Sequence, residues 1–294
     1  MTGVLGEPRL FASGGSFLEG LRRHDGRWWA SDFHRGVVLA FGTDGVEQEI
    51  LRIDDRPSGL VWLPDGSLLV VAMDSRRILR RRPDGTVTVH ADLRALAPGP
   101  LNDMVVDATG TAYVGEYGFE LEQGAPFATG SVIAVAPDGA AEVLATDLWF
   151  PNGAVVAGGE LVVGESFAGR YTAISLDGRR RRTWARLAPP PSAPDVATIM
   201  AEVAFMPDGC ALDADGHLWS CDSTHQRACL VAEGGEILAE LAAPPGMQYF
   251  ACALGPRELL LSAGPPFGSD HAGTRDSVLL TVPVAVGVPG AKGR

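Results

Sequence analysis

One short pattern recurs along this chain, and the recurrence decides most of what the remainder can be. Its clearest copy is Met206-Pro-Asp-Gly-Cys-Ala-Leu-Asp-Ala-Asp-Gly-His-Leu-Trp-Ser-Cys-Asp222. Apolar residues alternate through Leu212, Asp215-Gly216 supplies a tight turn, and alternation resumes at Leu218, which reads as a β-hairpin. The same plan returns at Phe17-Leu-Glu-Gly-Leu21, Pro57-Ser-Gly-Leu-Val61 and Leu101-Asn-Asp-Met-Val105, with fainter copies at Pro151-Asn-Gly-Ala154 and Tyr249-Phe-Ala-Cys252. Six copies at intervals of about 40 to 55 residues have the spacing of four-stranded propeller blades. The expected fold is all-β, a six-bladed β-propeller occupying residues 1–294 as one domain.

The expected blades begin near residues 17, 56, 101, 150, 207 and 249, and blade three reaches Ala145. Asp25-Gly26 and Asp44-Gly45 punctuate blade one; Asp65-Gly66 and Asp84-Gly85 do the same in blade two. A ring needs its ends joined, so Arg9-Leu-Phe-Ala12 is expected to supply the outermost strand of the last blade. Antiparallel order then puts the connections after the second and fourth strands on one face. Three long connections fall there, at residues 117–130, 187–206 and 264–275, and long loops in compact domains usually carry function.

Composition narrows the partners. The formal net charge is −12, which disfavours nucleic acid and anionic lipid and favours a cation. The Arg76 to Arg82 cluster reads as an exposed outer strand. The amino-terminal residues lack a basic segment followed by an apolar run, and no apolar stretch is long enough to span a membrane, so a cytoplasmic location is expected. Cys210, Cys221, Cys229 and Cys252 show no zinc-type spacing and read as buried thiols, although Cys210 and Cys252 share a repeat position that leaves a disulfide open. The six histidines are scattered, and only His225 is expected near the elaborated face.

Aligning the residue at the start of each innermost strand gives Glu19, Ser58, Asn102, Asn152, Asp208 and Phe250. In a propeller these positions converge on the central channel, so two carboxylates and two amides would meet there. Hard oxygen donors of this kind suit Ca²⁺ first, with Mg²⁺, Mn²⁺ or Zn²⁺ as alternatives. Any single Asn-Gly or Asp-Gly pair reads equally well as a turn; it is the shared repeat position that favours a site. A second series, Asp32, Glu116, Glu165 and Asp222, lies at the end of each second strand. It would either orient ligands or hold loop backbone.

On Leu101-Asn102-Asp103 with Val106-Asp107, Pro151-Asn152-Gly153, and Pro207-Asp208-Gly209 followed by Leu212-Asp213 and Gly216-x-Leu-Trp219, the chain resembles the regucalcin/gluconolactonase (senescence marker protein) family. It is more distantly similar to diisopropylfluorophosphatase. The resemblance implies one divalent cation held by Glu19, Asn152 and Asp208, with Asn102 close by as ligand or substrate contact. It also implies a substrate or lid contact at Glu120. Two departures stand out: Pro100 replaces an Arg of the sugar-lactone members, and Gly20-Leu-Arg follows Glu19 where Pro and Trp are common. Tyr117, Phe119, Trp149, Phe150 and Phe250 around the mouth suit a less polar ring. The expected activity is metal-dependent hydrolysis of a lactone or related cyclic ester, with Asp208 as general base or nucleophile. Phosphotriester hydrolysis and a non-catalytic cation- or ligand-binding propeller are the alternatives.

Overall fold

The computed structural model describes residues 6–266 and 273–285. Six four-stranded antiparallel sheets surround a central axis. The innermost strands are Leu18–His24, Pro57–Trp62, Leu101–Val106, Pro151–Ala157, Pro207–Leu212 and Gln248–Leu254. Five blades are built from consecutive strands. The sixth takes its outermost strand from the amino-terminal end, where Arg9–Gly15 pairs antiparallel with Ser277–Pro283. The ring is therefore closed as the sequence predicts, and the outer edge of Ser277–Pro283 is covered.

The core consists of apolar layers between neighbouring blades. Leu69, Val71 and Ile78 of blade two meet Met104, Val114 and Ile133 of blade three. Trp219 and Cys221 of blade five meet Tyr249 and Leu261 of blade six. The same principle closes the ring, since Leu18, Trp28 and Leu39 of blade one pack on Ala251, Leu260 and Leu279 of blade six. Burying one large apolar side chain in such a layer stabilises the fold by about 1.5–3 kcal/mol. The inner strands thus pack between neighbours on both faces, while outermost strands such as Glu47–Arg52 and Val87–Asp92 are largely exposed.

Two expectations change. The arginines of Arg77–Arg81 lie on a third strand, covered on the outside by Val87–Asp92, and are half-buried because carboxylates neutralise them: Arg80 pairs with Asp65, and Arg77 with Asp92 at 3.3 Å. Blade three's last strand, Ala141–Leu148, continues beyond Ala145. The cysteines follow their expectation: all four are buried and free, and the disulfide left open between Cys210 and Cys252 is not formed. Cys252 Sγ instead contacts the carbonyls of Gly209 and Trp219. Among the described residues no helix is long and apolar enough to cross a membrane.

Candidate metal and catalytic centre

The site is made by an interruption that all six blades share. In each, the ladder between the first and second strands loses register at the start of the innermost strand, between Glu19 and Arg22, Pro57 and Leu60, Leu101 and Met104, Pro151 and Ala154, Pro207 and Cys210, and Tyr249 and Cys252. Bulges of this kind re-aim side chains. Here they hold Glu19, Asn102, Asn152 and Asp208 around the floor of one cavity of about 320 Å³. The glycines that follow are required by proximity. A Cβ on Gly153 would lie 2.4 Å from the Asp208 carbonyl oxygen, and one on Gly209 would lie 2.6 Å from Ala251 Cα. Asn152-Gly153 and Asp208-Gly209 therefore lie within strands, and their glycines let neighbouring blades approach around the channel.

The second acidic series sits outside the cavity and acts on its framework. Asp32 accepts hydrogen bonds from the Ser16 and Phe17 N–H groups, Glu116 from Gly99 and Gly118, Glu165 from Trp149, and Asp222 from Met206. Each carboxylate thus fastens the segment that enters its own blade's innermost strand, two or three residues before the cavity residue. The four blades with this clamp supply Glu19, Asn102, Asn152 and Asp208. Blades two and six end the second strand at Ala72 and Gly264 instead, and present Ser58 and Phe250 at the corresponding position. Burial raises the Glu116 carboxyl above its ordinary value. Burial also pushes Glu165 upward, but hydrogen bonds and charge from Arg170, with Thr172 and the Trp149 N–H, outweigh it and hold that carboxyl below its ordinary value.

The floor is electrostatically loaded. Burial, followed by the charges of Asp208 and Asp103, raises the Glu19 carboxyl well above its ordinary value, against the Gly20 N–H and Arg22. Burial likewise pushes Asp208 up to about 7, although donors on Asn152, Gly209 and Ser223 oppose the rise. Among the described residues neither carboxylate forms an ion pair, so burial and neighbouring negative charge disfavour ionising both. Among the described residues no three His, Cys, Asp or Glu side chains gather into a metal-binding group. A cation here would draw on two carboxylates completed by amide oxygens, and the amides are arranged for this. Asn102 Nδ2 donates to the Pro151 carbonyl at 3.2 Å, and Asn152 Nδ2 to Ser166 Oγ at 3.3 Å, which leaves each Oδ1 as a donor atom for a metal. Ser166 Oγ in turn donates to the Pro207 carbonyl at 2.6 Å. The donor set, all oxygen and without sulfur or imidazole, fits a hard divalent cation.

Aromatic walls rise above this floor. Tyr117 stacks on Phe150 with centroids 4.1 Å apart, Phe150 on Phe167 at 4.7 Å, and Phe17 meets Phe250 at 4.6 Å. Phe119 and Trp149 belong to the same aromatic group but pack behind the lining. Met200, on the helix Val196–Glu202, and Met206 complete the apolar cover. Glu120 does not line the cavity. It pairs with Arg76, while Glu122, two residues on, reaches the lining and pairs with Arg56. His225 stays outside as well, bound to Asp222 Oδ2 at 3.1 Å. Phe33, Ser166, Ser223, Gln248 and Phe167 join the lining beyond the residues read from the repeat, although the sequence carries a signal for the first four. Phe33, Ser166 and Ser223 directly follow the second acidic series, as Tyr117 does, and Gln248 lies two residues before Phe250, as Phe17, Phe150 and Met206 lie two before Glu19, Asn152 and Asp208.

A family model described as the SMP-30/Gluconolactonase/LRE-like region matches residues 17–261. No curated protein matches the sequence. Among solved structures, a calcium-binding protein, regucalcin, from Agrobacterium tumefaciens is 19% identical with a TM-score of 0.77 over 99% of this chain and 98% of its own. A gluconolactonase from Xanthomonas campestris is 23% identical, TM-score 0.71, over 96% and 91% of the two chains. A luciferin-regenerating enzyme is 16% identical, TM-score 0.76, over 96% and 98%. At these identities the likenesses establish the fold.

Proposed function

Because this chain belongs to the SMP-30/gluconolactonase/LRE-like family, we propose that it is a divalent-cation-dependent hydrolase of lactones or related cyclic esters, with Ca²⁺ as the first candidate metal. The observation that carries this reading is the pair of desolvated carboxylates, Glu19 and Asp208, set with the amides of Asn102 and Asn152 beneath an apolar cavity. Glu19, Asn152 and Asp208 would hold the cation, with Asn102 beside them. When bound, the cation supplies a Lewis acid that polarises the ester carbonyl and balances the negative charge developing on its oxygen.

The protein's own groups do the rest. Asn102 orients the carbonyl, and Tyr117 and Phe150 bear on the remainder of the substrate. Asp208 takes a proton from water as that water's oxygen adds to the carbonyl carbon. The ring C–O bond then breaks, and the same proton passes to the departing alkoxide. Alternatively, an Asp208 oxygen adds to the carbonyl carbon itself, and the ring C–O bond breaks as its alkoxide takes a proton from water. The hydroxide so formed adds to the resulting anhydride, whose C–O bond to Asp208 breaks to restore the carboxylate. Glu120 acts through the loop that it anchors to Arg76, and Glu122 occupies the rim.

The test is hydrolysis of a lactone panel, from aliphatic rings to aldonolactones, by chelator-stripped protein before and after adding Ca²⁺, Mg²⁺, Mn²⁺ or Zn²⁺. Turnover restored by a metal is the expected result. Tight cation binding without hydrolysis of any lactone or phosphotriester would assign the protein to cation binding alone, a reading to which the calcium-binding Agrobacterium neighbour lends some weight.

A further inference from the structure

Resting on the hydrolase reading above, we infer that the substrate is a lactone or cyclic ester bearing a planar apolar ring, seated against the Tyr117–Phe150 stack, and not a polyhydroxylated sugar lactone. The first ground is conformational. Phe150 has a φ of +60°, in the left-handed region that bulky side chains avoid and that glycine would occupy freely. A strained aromatic residue persists where its surroundings over-determine it, commonly at binding sites. Here the surroundings are the rings of Tyr117 and Phe167, each inclined 22° to Phe150 on either side. Tyr117, Phe150 and Phe167 line the same cavity as Glu19 and Asp208, and the Phe17–Phe250 pair adds further apolar surface to it.

The second ground is the polar inventory. Among the described lining residues there is no Arg, Lys or His, so none of these residues offers a cation to a phosphate or carboxylate on the substrate. The hydroxyl of Ser166 is committed to the Pro207 carbonyl, that of Thr224 to Asp222, and Glu122 to Arg56. With the floor given to the cation and the Ser223 hydroxyl taken by the Met206 carbonyl and Asp208, Gln248 and the Tyr117 hydroxyl are the described groups left to serve a substrate's hydroxyls. A sugar lactone would bury several hydroxyls against carbon, and each unpaired polar group weakens binding. The cavity, about 320 Å³, lies at the small end of ligand sites and suits a one- or two-ring compound.

The deciding experiment uses the full-length, cation-loaded protein with two readouts. In the first, rates with 3,4-dihydrocoumarin and with glucono-δ-lactone are each normalised to spontaneous hydrolysis. In the second, calorimetry measures binding of their non-hydrolysable lactams, 3,4-dihydro-2-quinolinone and gluconolactam. The expected result is a preference on the order of 100-fold for the aryl compound in both. Phe150→Gly, which accepts the backbone angle without strain, should weaken quinolinone binding and raise KM for dihydrocoumarin about tenfold, with kcat changing less. If the wild-type protein turns over no lactone yet binds the quinolinone in a Phe150-dependent way, the hydrolase reading fails and the ring-recognition inference stands. Preference for the sugar lactone or its lactam, or no quinolinone binding by the wild-type protein, overturns the inference whatever the turnover.

Discussion

Replacing Asp208 by Asn keeps the side chain's volume but removes one of the two charges on the cavity floor and its proton acceptor. Turnover should fall by about 10³-fold or more while the circular dichroism spectrum and cooperative melting persist. An Asp208→Asn protein with wild-type kcat would remove this residue from the chemistry. The same carboxyl makes a pH prediction whose sign is definite. Its folded pKa, about 7, lies above the ordinary value of 3.8, so the metal-free folded state holds this proton more tightly than the unfolded state. Its contribution to stability is full below about pH 4 and is lost as pH rises toward 7. Cation binding needs the ionised form, so added Ca²⁺ should raise the melting temperature more at pH 8 than at pH 5. An equal increment at both would separate cation binding from Asp208. Beneath the floor, Arg22 donates to Asp103 at 2.7 Å and compensates a third carboxylate that otherwise loads Glu19 and Asp208. Arg22→Met should destabilise the protein by about 3 kcal/mol in denaturant unfolding, because it strands a nearly buried charge. Adding Asp103→Leu should recover most of that loss; failure to recover would mean that the ion pair is not what Arg22 contributes.

Each innermost strand carries a bulge, and the spacing that those bulges allow around the channel depends on absent side chains. Gly153→Ala would force a Cβ against the Asp208 carbonyl, and the strand that must move carries the candidate base. Unfolding free energy should drop by about 1–3 kcal/mol, and cation affinity should fall with it. A variant that kept its affinity would show that the two strands can separate without disturbing the site. This arrangement explains how much could be seen in advance. The repeat position exposed Glu19, Asn102, Asn152 and Asp208 because the same bulge is encoded blade after blade. The Asn152-Gly153 and Asp208-Gly209 pairs are ambiguous in sequence because a turn and a close strand crossing both select glycine. The clamping role of Asp32, Glu116, Glu165 and Asp222 was only half legible: the positions repeat, but whether a carboxylate faces the channel or grips backbone depends on loop paths. Glu122 was invisible, since an irregular loop decides whether Glu120 or its neighbour two residues later reaches the cavity, whereas Ser166 was legible from its place directly after Glu165, the repeat position of Phe33, Tyr117 and Ser223.

Closure is a property of the whole ring, and the candidate site depends on it. The strand Arg9–Gly15 covers Ser277–Pro283 at the outer edge of blade six, and blade six packs on the blade that carries Glu19. The join continues inward, where Ser277 Oγ donates to the Ser16 carbonyl at 2.9 Å, next to the clamp that Asp32 places on the Ser16 and Phe17 N–H groups. Removing residues 1–15 therefore does two things at once. It exposes an unpaired strand edge, an aggregation hazard. It also frees the contact between blades one and six, so that Glu19 is no longer held at a fixed distance from Asp208 on blade five. A truncated protein should melt at least about 8 °C lower, aggregate on concentration, and lose the stabilisation that a divalent cation gives the full chain. Scanning calorimetry with and without Ca²⁺ separates the two effects: a lower melting temperature with the Ca²⁺ increment intact would mean that the edge strand serves solubility alone. Loss of both would mean that the candidate cation site, though its donors come from only four blades, is a product of all six.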